Sequence, residues 1–488
     1  MISSRESYLT QSVHPGVVND GSPSQRSYRY HFFWLCCLFI SLGYQKPLMY
    51  LTPYDRTNPR LFDLIFLLGV FTVATRLPKT GRMPAFLKVY GLIILTYVCC
   101  ALIYAFTILE WDMGKFSIFF AAKYLQVLFV LYLVAKIPLD EKSKEILHSL
   151  LILIGVFTAV YCIPEYLNPI HTVEIMPGEY VTVESGILVG PFSGAAYFSL
   201  ALYSPLYSVL ALSRLCETRR ITSAIFFLCL AMFIAWPAMF SGSRSGVAYI
   251  AMSSLFLFLF SLILSRTNSS IIKRLLYVVV GLIAIGGVVY LSFGVQNKTA
   301  ERITKFEKTR NSTASRLGIF KDFGNYKYKY EDFLPFIGAG FGVAPIVEST
   351  GKDRYRVGYG FHNAFLANYE QGGVLPCVLF LVFLWMCLKS LIRSAKAKNV
   401  SRASFATAIL AYFMASLLVS LVGVAPWFGT DGAFFVSLIL IAARRESQDD
   451  HSDTSTNGLT SREQLSESPL QVSVWLSHLR HVTLSVPV

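Results

Sequence analysis

Apolar runs separated by short polar segments make up most of this 488-residue chain. Many of the runs are close to the roughly 20 residues that an α-helix needs to cross the hydrocarbon core of a bilayer. The pattern therefore predicts an all-α, polytopic integral membrane protein with about twelve spans. The predicted spans lie at residues 32–51, 61–77, 86–108, 116–137, 146–167, 191–212, 221–240, 246–264, 272–293, 374–392, 405–424 and 427–443.

Positively charged residues occur in alternate short loops, and this alternation predicts the orientation of the spans. Lys and Arg cluster between spans two and three, four and five, six and seven, eight and nine, and ten and eleven, and again after the last span. The loop at residues 165–190 belongs to the other set and contains four glutamates but no Lys or Arg. Since positively charged loops stay in the cytoplasm, both termini are predicted to be cytoplasmic.

One loop of the predicted outer set, residues 294–361, is much longer than the others. It is rich in Lys, Arg, Tyr and Phe, as at residues 327–330. Structureless loops of this length are uncommon, and the aromatic content argues against disorder. We therefore expect a compact cap over the membrane domain, with an amphipathic helix at residues 300–310.

Polar tails flank the predicted membrane domain, which occupies residues 32–443. The N-terminal tail at residues 1–31 and the C-terminal tail at residues 444–488 are predicted to be cytoplasmic. Residues 1–30 and 446–470 are rich in Ser, Thr, Gln, Asp and Glu, and we expect them to be disordered. Because the first apolar run follows a polar segment, it is expected to be a retained span and not a cleavable signal peptide.

The formal net charge of +14 does not indicate nucleic-acid binding. The positive residues lie in short loops between spans, where they orient a membrane protein. Eight of the nine cysteines lie in apolar runs, and none lies in the large outer loop. No disulfide framework or metal-ligand spacing is visible, so we expect the cysteines to pack as small apolar residues. No metal and no cofactor are predicted.

The first candidate motif, Ser-Gly-Ser-Arg-Ser-Gly at residues 241–246, joins spans seven and eight on the predicted outer side. Its small residues permit a tight turn and the close approach of a ligand to the backbone. Arg244 is expected near the membrane surface. The pattern alone leaves two interpretations open, a ligand-binding arginine and an arginine that snorkels from a simple turn.

The second candidate motif has two parts, Ser-Arg-Leu at residues 315–317 and the glycine-rich run at residues 335–342. The glycine spacing differs from the dinucleotide-binding fingerprint, and no strand–helix unit surrounds it. A flexible or closely packed turn is therefore predicted there. Taken alone, Arg316 would be interpreted as a solvated loop charge.

The third candidate motif begins with His362 and Asn363, where the large loop returns to the membrane. Histidine exchanges protons near neutral pH and donates hydrogen bonds to oxyanions. A lone histidine is more often structural, but the three motifs together combine two arginines with one titratable group on the same predicted side. Arginine suits phosphate because its planar fork makes paired, charge-assisted hydrogen bonds.

In order, spacing and topology, these motifs resemble the O-antigen ligase and O-antigen polymerase superfamily of bacterial envelope enzymes. The resemblance covers most of the chain, with a ligase-like region at about residues 226–385. Arg244 stands in the place of the family's Ser-Arg turn, and Arg316 stands near the start of the family domain. His362-Asn363, followed after nine residues by Gly373, looks like the histidine motif of the ligases.

The resemblance implies an all-helical enzyme of the bacterial inner membrane with a periplasmic cap. Its donor would be a glycan on undecaprenyl diphosphate, its acceptor lipid A-core or a growing polysaccharide, and it would need no nucleotide sugar, metal or cofactor. Arg244 and Arg316 would hold the diphosphate, and His362 would be the catalytic or acceptor-activating residue. Membrane lipids and other polysaccharide-assembly proteins are the further partners expected. Weaker candidates for substrate contacts are Asn363, Arg354 and Arg356.

Ligase and polymerase activities remain alternatives within the superfamily. A ligase transfers the glycan to lipid A-core, whereas a polymerase transfers a growing chain to another lipid-linked repeat unit. Related members act on exopolysaccharide or attach glycans to protein. The His362-Asn363 motif favours a ligase, although Pro376 stands where the ligase motif often has a second glycine.

Two other classes of protein are also considered, a transporter or flippase and a membrane sensor or scaffold. Transporters usually show paired repeats and ionisable residues deep in their spans. No internal repeat is visible, and Lys123 is the main deep charge, with Gln126 one turn away. These two residues form either a shared polar site or a helix-packing contact.

Overall fold

A mainly helical domain accounts for most of the computed structural model. The structure describes residues 23–46, 48, 58–76, 83–168, 171–176, 179–183, 188–192, 197–218, 220–241, 243–264, 324, 327–340, 343–347, 353–357, 363–397, 399–421 and 427–444. The predicted span at residues 272–293, the predicted helix at residues 300–310 and most of both tails lie outside these residues.

Thirteen helices occur in the described part of the chain. They are α1 (Pro23–Gly43), α2 (Leu61–Thr72), α3 (Ala85–Thr107), α4 (Trp111–Lys136), α5 (Glu141–Leu167), α6 (Tyr197–Ser213), α7 (Ile221–Phe240), α8 (Arg244–Leu264), α9 (Leu334–Ile337), α10 (Ala364–Gly372), α11 (Val374–Ala395), α12 (Val400–Val419) and α13 (Gly429–Ala443). Short 3-10 turns occur at Ala74–Arg76, Arg214–Cys216 and Glu331–Phe333.

Seven of these helices are long and apolar enough to cross a membrane, namely α3, α4, α5, α7, α8, α11 and α12. Helices suit this environment because they satisfy every backbone N–H and C=O group within one segment. Each predicted span that falls within the described residues contains a helix, including the shorter apolar helices α1, α2, α6 and α13. The chain is therefore a mainly helical, multi-pass membrane protein.

Two features of the fold differ from the predictions. Helix α1 begins at Pro23, inside the predicted polar tail, because proline is tolerated at a first helical position where its missing N–H has no partner. Two small antiparallel sheets also occur, so the prediction of an all-α chain was incomplete. Their strands are short and rich in Val, Thr and Tyr, which favour extended backbone. The strands are β1 (His171–Met176) paired with β2 (Glu179–Val183), and β3 (Lys327–Tyr328), β4 (Val343–Val347) and β5 (Asp353–Val357) in the order β3-β4-β5.

Helix α12 lies in the centre of the bundle and packs on α6, α8 and α11. The ring of Tyr412 in α12 stacks on Tyr249 of α8, with 5.4 Å between the ring centroids. The Tyr412 hydroxyl donates a hydrogen bond of 2.7 Å to the carbonyl of Leu202 in α6. This bond satisfies a buried polar atom and fixes three helices relative to one another.

The helices alternate in direction, so their termini form two ends of the bundle. We call one of them the cap end: it carries the C-terminal ends of α1, α3, α5, α7 and α12 and the N-terminal ends of α4, α6, α8, α10, α11 and α13. Distant contacts agree with this grouping. Gln45, after α1, bonds to Tyr203 of α6 and Asp431 of α13, and Val343 of β4 packs with Tyr104 near the end of α3.

The opposite end of the bundle carries charged residues that the sequence analysis assigned to the cytoplasm. Arg214 donates to Glu217 at 2.7 Å, and Arg402 donates to the carbonyl of Arg444 at 2.8 Å, which joins the start of α12 to the end of α13. Burial raises the pKa of the Glu217 carboxyl above its ordinary value, although the neighbouring Arg214 lowers it. The side of the membrane that each end faces stays a prediction.

A charged cluster joins α2 to α4 among the apolar helices. Lys123 forms an ion pair with Asp63, and Gln126 donates a hydrogen bond of 2.8 Å to the same carboxylate oxygen. The backbone N–H of Arg60 donates to the other oxygen at 2.7 Å. Lys123 and Gln126 therefore share a polar site. Because their common partner Asp63 lies in α2, these contacts hold α4 against α2.

Removing one partner of this ion pair is expected to destabilise the protein more than removing both. Lys123→Met leaves Asp63 charged in a poorly hydrated environment, which typically costs about 3–5 kcal/mol. The double variant Lys123→Met/Asp63→Asn has no unpaired charge and should recover most of that loss. Thermal unfolding in one detergent measures the difference, and equal losses in the two variants would contradict the packing role.

Candidate functional site

The short helix α10 lies at the cap end, where the chain returns to the membrane domain. Its N-cap residue is Asn363, whose side-chain oxygen accepts hydrogen bonds from the backbone N–H groups of Phe365 (2.9 Å) and Leu366 (3.1 Å). The side-chain nitrogen of Asn363 donates to the carbonyl of Leu421 at the end of α12 (3.1 Å). Asparagine is a favoured N-cap, and this buried Asn363 fixes the start of α10 against α12.

The helices and strands show where the predicted substrate-binding residues lie in the chain fold. His362 and Arg316 lie outside the described residues, and His362 directly precedes Asn363 in the sequence. Arg244 is the first residue of α8, which begins at the cap end. Arg354 and Arg356 lie in β5, opposite Ile346 and Ala344 of β4. The backbone thus brings the start of α8 and the start of α10 to one end of the bundle.

The serine–glycine motif forms a tight turn between α7 and α8, as predicted. The Ser241 hydroxyl donates to the carbonyl of Ala238 at 2.8 Å, and the hydroxyls of Ser243 and Ser245 lie 2.6 Å apart. A Cβ at Gly246 would lie 2.7 Å from the same Ala238 carbonyl oxygen, so only glycine permits this approach of the two helices. The turn is therefore fixed by packing and by hydroxyl hydrogen bonds.

The position of Arg244 has an electrostatic consequence. The N-terminus of an α-helix carries partial positive charge and free N–H groups, so a cation there is unfavourable and an anion is favourable. Arg244 does not stabilise α8 through the helix dipole.

The glycine-rich run packs closely against the C-terminal end of α10. Gly338 has a φ of 70° and Gly340 a φ of 81°, which are left-handed conformations that glycine adopts without strain. A Cβ at Gly338 would lie 2.5 Å from the carbonyl carbon of Gln371. The backbone N–H of Ala339 donates to the carbonyl of Glu370 at 2.5 Å. The prediction of a closely packed turn is confirmed, and the run supports α10.

Helix α3 contacts the other side of α10. The Tyr97 hydroxyl donates to the side-chain oxygen of Asn368, and the Asn368 side-chain nitrogen donates to the Ala364 carbonyl at 2.5 Å. A Cβ at Gly372 would lie 3.0 Å from the Tyr97 ring and would collide with the ring of Pro376. Pro376 therefore packs directly on α10.

A carboxylate that the sequence analysis did not single out lies at the same end. Asp431, in the first turn of α13, accepts hydrogen bonds from the Tyr203 hydroxyl (2.7 Å) and the Gln45 side-chain nitrogen (3.2 Å) on its oxygen Oδ1. Within the described residues, its second oxygen Oδ2 has no hydrogen-bond partner. An acidic residue near the start of the last predicted span was the available signal, since intramembrane and near-membrane acids are often functional.

Asp431 and Arg244 lie in the same layer of the bundle. Helices α8 and α13 both run away from the cap end, and Tyr412 contacts Tyr249 of α8 (5.4 Å) and Phe435 of α13 (5.1 Å). Arg244 precedes Tyr249, and Asp431 precedes Phe435, by about one helical turn. The two charged residues therefore both lie about one turn beyond the Tyr412 layer, towards the cap.

No protein-family model and no curated protein matches this chain. The resemblance to O-antigen ligases and polymerases therefore depends on the motifs and their arrangement.

Substitution of Gly338 by alanine is expected to weaken the contact between the glycine-rich run and α10. The positive φ and the collision with the α10 backbone should cost at least about 1 kcal/mol. Gly324→Ala is the matched control, because no atom lies within 4 Å of its Cβ position. Thermal unfolding and limited proteolysis compare the two variants, and unchanged values for Gly338→Ala would show that the packing is looser than described.

Proposed function

We propose that this protein is a membrane glycosyltransferase of the O-antigen ligase and polymerase kind. It would transfer a glycan from undecaprenyl diphosphate to an acceptor, either lipid A-core or a growing polysaccharide. The observation that carries the proposal is that three features lie at the same end of the bundle. They are the start of α8, which begins with Arg244, the start of α10, which follows His362 in the sequence, and the carboxylate of Asp431.

The diphosphate is the leaving group of this reaction, and it gains negative charge as its bond to the sugar breaks. Arg244 and the N–H groups at the start of α8 supply positive charge near the membrane surface, and Arg316 would add a second guanidinium. Positive groups held in a poorly hydrated site stabilise such charge more strongly than water does. This arrangement explains how the reaction would proceed without a metal ion.

His362 would take the proton of the acceptor. An acceptor hydroxyl oxygen forms a bond to the anomeric carbon, the bond from that carbon to the diphosphate oxygen breaks, and the hydroxyl proton passes to His362. Asn363, the residue that directly follows His362 in the sequence, is held in place by its side-chain hydrogen bonds. General-base catalysis of this kind typically raises the reaction rate about 10²–10⁴-fold.

The alternation of charged loops supports an orientation with both termini in the cytoplasm and the cap end in the periplasm of a bacterial inner membrane. Lipid-linked glycans would then reach the site from the outer leaflet. A ligase and a polymerase would use the same donor site, so the donor residues do not distinguish them. The His362-Asn363 motif favours the ligase.

A transporter or flippase is less well supported. The main deep charge, Lys123, forms an ion pair with Asp63, and Gln126 bonds to the same carboxylate. Packing of α4 on α2 therefore explains why a charged residue occurs at position 123.

Undecaprenyl diphosphate release by the purified protein tests the proposal. The donor glycan is supplied with lipid A-core, and separately with donor alone. Arg244→Ala, Arg316→Ala and His362→Ala are each expected to lower the rate by about 10²-fold or more, because each removes a group that acts in the transition state. Arg220→Ala, an exposed cation at the opposite end of the bundle, is the control and should retain full activity.

The two acceptor conditions separate the activities. Transfer to lipid A-core identifies a ligase, and chain growth with donor alone identifies a polymerase. Folded wild-type protein that releases no undecaprenyl diphosphate under either condition would refute the enzyme proposal.

Asp431 is expected to hold the acceptor through its open oxygen. Asp431→Asn keeps the size of the side chain and an oxygen for Tyr203, but it removes the negative charge that binds sugar hydroxyls. We expect a KM for the acceptor that is raised about tenfold, as for the loss of one charge-assisted hydrogen bond, and an unchanged KM for the donor. Steady-state kinetics with each substrate varied in turn would reject this role if the donor KM rose instead.

A further inference from the structure

Glu370 of α10 is the only acidic residue that is buried among the described residues, with 4% of its surface exposed. A buried carboxyl group is costly unless it is hydrogen-bonded. The hydroxyl of Tyr328, at the end of β3, donates a hydrogen bond of 2.9 Å to Oε1 of Glu370. A leucine at position 370 would carry a smaller desolvation cost. The glutamate therefore needs a reason other than packing.

Glu370 is attached to the cap through its backbone as well as its side chain. Its carbonyl accepts a hydrogen bond of 2.5 Å from the N–H of Ala339, in the glycine-rich run. Tyr328, Leu334 and Ala339 form a small buried cluster of the cap, and Tyr369 of α10 packs on it. The C-terminal half of α10 therefore packs both on this cluster, which belongs to the described part of the predicted cap, and on Tyr97 of α3.

The N-terminal half of α10 packs on the helical bundle at the end of α12. Ala364 and Phe365 pack against the main hydrophobic core of the helical bundle, and Asn363 and Ala364 bond to the end of α12. Helix α10 has nine residues and is thus a short, stiff element between two cores. The contacts of Glu370 and the N-cap Asn363 thus lie on one short helix, and His362 directly precedes Asn363 in the sequence.

We propose that Glu370 is a positioning residue, which couples the place of the cap to the start of α10 through its hydrogen bond with Tyr328. This inference rests on the proposed glycosyltransferase function for its catalytic consequence, while the coupling itself does not. Under that function, the hydrogen bond would help to hold the start of α10, whose first residue is preceded in the sequence by Asn363 and His362.

Four variants test the coupling. Tyr328→Phe removes the hydroxyl and keeps the ring in the cap cluster, and Glu370→Leu removes the acceptor. Glu370→Gln keeps an oxygen that accepts from Tyr328 and is the conservative variant. Tyr330→Phe, two residues further along the same cap segment, is the matched control.

Hydrogen–deuterium exchange gives a readout that does not depend on activity. In Tyr328→Phe and Glu370→Leu, the Phe365 and Leu366 amides, which Asn363 caps, are expected to exchange at least about tenfold faster, because the side-chain hydrogen bond that holds the helix is lost. Glu370→Gln and Tyr330→Phe should exchange like the wild type. Unchanged exchange at the start of α10 in Tyr328→Phe would overturn the coupling.

Kinetics give the second readout. Tyr328→Phe and Glu370→Leu should lower kcat about tenfold with less than a twofold change in the donor KM, and the double variant should be no slower than either single variant. A Glu370→Gln variant as slow as Glu370→Leu, or additive losses in the double variant, would overturn the positioning role. Faster exchange in a protein whose wild type is inactive would refute the proposed function and leave the coupling intact.

Discussion

The absence of water in the hydrocarbon core is the constraint on which the rest of this structure depends. Backbone groups there must bond within their own segment, so the apolar runs form helices and irregular backbone is found at the ends of the bundle. Polar side chains within the apolar helices need partners for the same reason, and the ion pair of Asp63 and Lys123 is such a case. The proposed chemistry of phosphate and sugar would consequently be confined to the ends.

The cap end gains its organisation from helix termini and one short helix. The start of α8 and the start of α13 bring partial positive charge, Arg244 and Asp431 to one layer of the bundle. Helix α10 lies at the same end of the bundle, with Asn363 bonded to the end of α12 and Glu370 bonded to Tyr328 of β3. A site built in this way would join recognition of a glycan by the cap to the handling of a diphosphate at the membrane surface.

The sequence predicted those parts of the molecule that depend on local pattern. Apolar length located the helices, and small residues located the turns at residues 241–246 and 338–340. Asn363 was considered only as a substrate contact, although asparagine before an apolar helix is also a recognised N-cap. Its capping role was therefore within reach of sequence reasoning.

Contacts between residues that are distant in sequence could not be predicted in this way. Asp63 lies 60 residues from Lys123, and Asp431 lies 228 residues from Tyr203. Neither pairing leaves a periodic signal, because it depends on which helices become neighbours. The bond between Tyr328 and Glu370 spans 42 residues and two different elements, and it was missed for the same reason.

Determination of an electron cryomicroscopy structure in lipid nanodiscs with undecaprenyl diphosphate bound is the most direct test of the proposed site. The account predicts that both phosphates lie at the cap end, in contact with Arg244 and Arg316, with His362 next to the phosphate that would carry the sugar. A diphosphate bound at the opposite end of the bundle, or arginines too far apart to contact one diphosphate, would contradict it.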